Sequence, residues 1–189
     1  RRMDQVISSA GGRYVDASII GGPPCGNNNP RFYVSGSNAA ELNELEEFGL
    51  DIRIIGAEVG QASGIKMCYA ALTKGSAALY TQLLMAASLM GLSQPLREEF
   101  RHSEPTVQQR MESSIADLPA KSRRWVSEMQ EIEVTFGALG LTPLIFQGVA
   151  EMYQFMGSTP LGEETPETKD ATRTSQQTIE HLVEHVWRH

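Results

Sequence analysis

At 189 residues, with 41 % apolar and 21 % charged side chains, the chain is long enough to bury a core in one domain, or one and a fraction, without staples. Its formal net charge of −7 argues against sequence-independent DNA or RNA binding, which depends on basic surface to displace counterions. Two cysteines, Cys25 and Cys68, make neither a disulfide framework nor a zinc ligand set, and both are expected to be reduced in a cytoplasmic protein.

The opening Arg1-Arg2-Met3-Asp4 leads no apolar signal segment, and the lack of a first methionine is expected to reflect trimming of the start. Residues 3–9 read as a short helical end and Gly11-Gly12 as a break. Residues 13–20, rich in β-formers, read as a strand, and 21–30, crowded with glycine, proline and asparagine, as a loop. Residues 31–35 return to strand. Ser37 or Asn38 then caps a helix through Phe48, with Leu42, Leu45 and Phe48 on one face and Gly49 as its stop. Residues 51–56 form a third strand.

After Gly60 the apolar period changes from two to about 3.6. Residues 61–91 read as one long helix, apolar on nearly all sides, which predicts burial in a bundle and, with it, a homodimer of more than about 2,000 Å² of buried area. The nearest approach to a membrane span, residues 77–92, is broken by Tyr80-Thr81-Gln82, Ser88 and Gly91. Residues 95–101 and 105–118 read as shorter helices. Residues 119–139 are amphipathic, with Trp125, Met129, Ile132, Phe136 and Leu139 inward and Arg124 and Glu128 able to pair outside. Thr142-Pro143 opens a helix to about Met156, 157–168 is a loop, and 171 to the end is a helix with Ile179, Leu182, Val183 and Val186 inward.

The fold class is therefore an α/β remnant followed by an all-α part. Residues 1–58 hold about three strands, fewer than the five or six of an independent doubly wound sheet, and are expected to be the end of a larger domain. Residues 59–189 form a helical domain.

Lys66 is the first candidate for chemistry. A lysine near the start of an apolar helix escapes to solvent, meets a carboxylate, or acts as general acid or base, and the neighbouring Gly60 and Gly64 permit close ligand approach. Lys74, two turns on, reads first as a solvated or inter-helix ion-paired cation. Asp16 to Gly22 is a strand ending in paired glycines, whose free N–H groups suit an anion. His181, His185 and His189 fall at four-residue steps and read as a polar stripe, with metal binding as the alternative. No G-x-G-x-x-G, Walker loop or G-x-S-x-G occurs.

Three segments carry a family resemblance: Tyr14-Val15-Asp16-Ala17-Ser18-Ile19-Ile20-Gly21-Gly22-Pro23-Pro24, the helix from Gly60 through Lys74-Gly75, and Arg123-Arg124-Trp125-Val126-Ser127-Glu128-Met129-Gln130-Glu131-Ile132, with a weaker fourth at 146–153. The chain resembles the 6-phosphogluconate dehydrogenase and β-hydroxyacid dehydrogenase superfamily, in the branch ending in a domain formerly of unknown function. The resemblance implies an NAD(P)-dependent oxidoreductase of a small hydroxy or oxo acid, or of an imine, and a homodimer. It implies Lys66 as the general acid or base, and Asp16, Ser18, Gly21 and Gly22, with Tyr69 and Lys74, as substrate contacts. Ile20 stands where the superfamily has serine, and Tyr69 and Ala70 where it has asparagine, so an ordinary 3-hydroxy acid held in the standard way is not expected. Most of the nucleotide-binding half is missing, so this chain alone is expected to bind no NAD or NADP. Two rivals remain: a cofactor-free lyase, isomerase or cyclase using Lys66 and Tyr69, and a non-catalytic dimerisation module.

Overall fold

The computed structural model describes residues 2–26 and 29–186. In chain order these form α1 (Arg2–Ser9), β1 (Asp16–Ile20), β2 (Arg31–Ser35), a 3₁₀ helix (Ala39–Phe48), β3 (Asp51–Gly56) and α2 (Gln61–Leu89). There follow α3 (Ser93–Ser103), α4 (Pro105–Ile115), α5 (Pro119–Ala138), α6 (Leu144–Ser158), a 3₁₀ turn (Pro160–Glu163) and α7 (Ser175–Glu184). The chain folds as two compact units, Arg1–Ala70 and Ala71–His189, so the first turns of α2 belong with the sheet rather than with the bundle.

In the first unit the sheet has order β1-β2-β3, with β1 antiparallel to β2 and β2 parallel to β3. The register pairs Asp16 with Ser35 and Ile20 with Arg31, so β1 pairs along the whole length of β2. Its alternation is strict: Asp16, Ser18 and Ile20 are buried while Ala17 and Ile19 are exposed, as a period of two requires. A small core of Val34, Ala39 and Ile52, flanked by Val15, Phe32, Leu42 and Leu50, holds the 3₁₀ helix to the sheet. The strand expected from residue 13 begins only at Asp16, because the Tyr14 carbonyl accepts from the Asn38 amide at 3.2 Å instead of joining the ladder. The same bond corrects the expected cap, since Asn38 makes no side-chain bond to the helix it precedes. That helix is 3₁₀ rather than α. Leu42, Leu45 and Phe48 recur at threes, the 3₁₀ period, but only Leu42 joins the core and Phe48 is 80 % exposed. Gly49 ends it in the left-handed region at φ 83°, as expected.

In the second unit α5 and α6 pack through Met129, Ile132, Phe146, Ala150, Tyr153 and Met156, all buried. Phe136 meets Phe146 edge to face at 5.1 Å. Gly162 lies so close to the end of α6 that a Cβ there would meet the Gly157 Cα at 2.6 Å, which explains glycine at that turn. Met111 and Ile115 of α4 and Ile179 and Leu182 of α7 are buried in turn. The last helix starts at Ser175 rather than 171, because Asp170 turns the chain by accepting from the Thr172 N–H and hydroxyl, and Thr174 with Gln177 then forms a capping box. Leu139, expected inward, is 72 % exposed because α5 has already ended.

Candidate functional site

The start of α2 is built from the side chains of two strands. Asp16, 5 % exposed at the head of β1, accepts from Gly60 N–H at 3.0 Å, Ser63 N–H at 3.0 Å, Ser63 Oγ at 2.6 Å and the Ser35 hydroxyl at 3.2 Å. Ser35 Oγ, at the end of β2, accepts from Ala62 N–H at 3.0 Å, and Ser18 Oγ donates to the Ala62 carbonyl at 2.5 Å. A helix leaves its first N–H groups without intrahelical partners, and here the sheet supplies the acceptors. Burial alone would raise the Asp16 carboxyl, but the bonds from Ser63, Gly60 and Ser35 outweigh it and hold the group below its ordinary range.

Lys66 lies one turn beyond Ala62 and is exposed, and no ion pair reaches it among the described residues. Tyr69, three residues on and 49 % exposed, shares that side of the helix. Gly21 and Gly22 are exposed at the far end of β1 from Asp16. They border a groove of 550 Å³ with Ile19, Phe32, Phe48 and Leu50, and Lys66 is not among the residues lining it. The structure therefore gathers Asp16 and Ser18 around the first turn of α2 and leaves the glycine pair at a separate opening. Ile20 is buried, 5 % exposed.

Lys74 sits in the second unit among different company. Its Nζ forms an ion pair with Glu128 of α5 and lies 5.0 Å from the centre of the Trp125 ring. Tyr153 of α6 donates its hydroxyl to the Lys74 carbonyl at 2.7 Å and meets Trp125 edge to face at 5.3 Å. Burial pushes the Tyr153 phenol far above its ordinary value, so it stays a donor. Glu128 thus pairs with Lys74 of another helix, not with Arg124 as the spacing on α5 suggested. Sequence reasoning missed the grouping of Trp125, Glu128 and Tyr153. A tryptophan and a glutamate three apart share a helix face, but nothing local says which helix that face meets. Ser35 and Ser63 were missed as well, and only the serine in the first turn of α2 carried a visible capping signal.

The two cysteines are unpaired and exposed, and no group of three metal-ligating side chains occurs among the described residues. His181 and His185 lie on the exposed side of α7, with Glu184 3.9 Å from His181, while His189 falls outside the described residues, as do Asn27 and Asn28. No helix among the described residues is long and apolar enough to cross a membrane. Along α2 and α6, two openings of 700 and 270 Å³ share Gln82, Gly148 and Met152.

Residues 87–156 match the family described as a domain of unknown function, DUF1932. An uncharacterised 28.5 kDa protein in the 7S RNA 5′ region of Methanothermus fervidus is 31 % identical over 143 residues, covering 75 % of this chain and 56 % of that protein. A conserved protein of unknown function, whose structure is described as similar to 3-hydroxyacid dehydrogenases, superposes with a TM-score of 0.63 at 28 % identity, over 81 % of this chain and 61 % of its own. A conserved hypothetical protein from Sinorhizobium meliloti shares the fold with a TM-score of 0.77 at 19 % identity, over 96 % of this chain and 60 % of its own. The chain spans 56 to 61 % of the length of the relatives it matches.

Proposed function

On the premise that the chain belongs to the superfamily of 3-hydroxyacid dehydrogenase-like proteins and carries their C-terminal domain, we propose that it is part of an oxidoreductase of a small hydroxy or oxo acid, with Lys66 as the proton-transferring residue. One observation carries this reading. Of the two lysines of α2 singled out above, Lys74 is committed to Glu128, while Lys66 is exposed one turn from a helix start pinned to the sheet. In that role Lys66 exchanges a proton with the reacting oxygen of the substrate, as general acid or base. Tyr69 on the same side supplies a hydroxyl to the substrate.

The family implies NAD or NADP, and the described residues do not fit a dinucleotide. A pyrophosphate needs the free N–H groups of a helix start following a parallel strand. The helix that follows β3 has those of Gly60, Ala62 and Ser63 already bonded to Asp16 and Ser35. In this reading the cofactor is held outside the described residues, and no step is routed through it. Lys66 and Tyr69, both exposed on one side of α2, also support a second reading, cofactor-free proton transfer at that side.

The protein is further proposed to act as a homodimer. Leu72 and Leu79, seven residues apart on α2, are 62 % and 59 % exposed, and Leu144 and Ile145 at the start of α6 are 69 % and 62 % exposed. Apolar stripes of this kind are covered by a second chain in obligate assemblies.

Lys66→Met in the full-length protein tests the central claim, assayed against a panel of small hydroxy and oxo acids with and without NAD(P). Turnover should fall by about 10²- to 10⁴-fold with folding intact. Turnover per folded molecule that stayed unchanged would remove the enzyme reading's central residue, and activity that needed no NAD(P) would favour the second reading.

A further inference from the structure

Resting on the reading of Lys66 just given, we propose that Asp16 is a positioning residue: an internal anion that fixes the first turn of α2, and so sets where Lys66 stands, rather than a contact for substrate. Each of its carboxylate oxygens is engaged. Oδ2 accepts from Gly60 N–H, Ser63 N–H and Ser35 Oγ, and Oδ1 from Ser63 Oγ. Ser35 passes the restraint on by accepting from Ala62 N–H while donating to Asp16, and Ser18 holds the Ala62 carbonyl from the other side. The remaining amide of that turn, Gln61 N–H, meets the Glu58 carbonyl at 3.4 Å. The helix start is thus accounted for by residues of β1, β2 and the preceding turn.

Two arguments set this role apart from substrate binding. A carboxylate that is 5 % exposed and already accepts four bonds has no room for a ligand, and it repels the carboxylate of an acidic substrate. It also occupies the place where a helix start would otherwise attract an external anion, its charge being favourable there by the helix dipole. Lys66 follows Ser63 by about 4.5 Å along the axis, so a turn free to unwind or rotate at Ser63 carries the Lys66 Cα with it. The anionic end of the substrate is therefore met elsewhere than at the α2 start.

The test uses the full-length protein with Asp16→Ala, Asp16→Asn and Ser63→Ala, each read by amide hydrogen exchange over residues 60–66 and by kcat and KM on the substrate found in the Lys66 assay. Asparagine caps about as well as aspartate, and alanine does not. Asp16→Ala should raise exchange in that turn about five- to tenfold. It should also lower kcat about tenfold with KM within about twofold, while Asp16→Asn restores most of both. Asp16→Ala combined with Lys66→Met should be no slower than Lys66→Met alone, because a residue acting through Lys66 has nothing left to position. If Asp16→Ala fails to fold, Ser63→Ala, which deletes one donor, should give the same pattern at about threefold. Unchanged exchange at 60–66, a raised KM with kcat intact, or losses that multiply with Lys66→Met would each overturn the assignment. Should Lys66→Met leave turnover unchanged, the reading of Lys66 fails and Asp16 loses its link to catalysis, while the exchange data decide the anchor separately.

Discussion

The start of α2 and its middle each carry a lysine, and the surroundings of the two differ in kind. Around Lys66 the protein spends its polar groups on the backbone: Asp16, Ser18 and Ser35 hold the helix start, and the cation is left to solvent. Around Lys74 it spends them on the side chain, pairing the ammonium with Glu128 beside the Trp125 ring and tying the Lys74 carbonyl to Tyr153. A lysine held by a partly buried carboxylate contributes to stability, whereas one left to solvent stays open to a ligand. That contrast is what ranks Lys66 above Lys74 as a site residue.

Exchanging the two lysines for methionine is the sharpest way to break the comparison. Lys66→Met should cost turnover by about 10²- to 10⁴-fold and leave thermal stability nearly unchanged. Lys74→Met should do the reverse. It leaves Glu128 partly buried without its cation, a loss of about 1–2 kcal/mol once solvent screening is allowed for, seen as a lowered denaturation midpoint at unaltered kcat. Equal effects on turnover would erase the distinction.

Association comes next in size. If the exposed stripe on α2 is covered by a second copy, Leu79→Glu buries a charge in that interface and should convert a dimer to monomers in light scattering at micromolar concentration. A wild-type protein already of monomer mass would end the dimer proposal.

Tyr153→Phe removes only the 2.7 Å bond to the Lys74 carbonyl and should cost about 1 kcal/mol, with the edge-to-face contact to Trp125 retained. The smallest expected effect is one of pH. Because the folded-state carboxyl of Asp16 is held below its unfolded value, its contribution is full above about pH 5 and is lost as pH falls through the folded value. The stability difference between wild type and Asp16→Asn should therefore grow from strongly acidic pH up to about pH 5 and then level off. A difference independent of pH would mean that the charge of Asp16 adds nothing to its hydrogen bonds.

Periodicity carried most of the element order. The β-formers of β1, the Thr142-Pro143 start of α6 and the three- to four-residue apolar spacing in α5 are local signals, so they can be read without knowing the partner. The misses share one physical cause. Asn38 reads as a helix cap, yet its amide finds Tyr14, far away in sequence, and Glu128 reads as the partner of Arg124, yet it pairs with the Lys74 ammonium. Polar side chains form short-range bonds with whatever the fold brings within about 3 Å, and that proximity is not written in the neighbouring residues.

The sequence alone therefore settled the composition of the chain, the change from sheet to helices after Gly60, and Lys66 as the residue to question. The change to helices rests on local spacing, and the interest of Lys66 on the cost of burying an unpaired ammonium. What the tertiary structure alone decided is which polar groups are already satisfied. It assigned Asp16, Ser18 and Ser35 to the start of α2 and Lys74 to Glu128, because a hydrogen bond depends on distance in space rather than on separation along the chain.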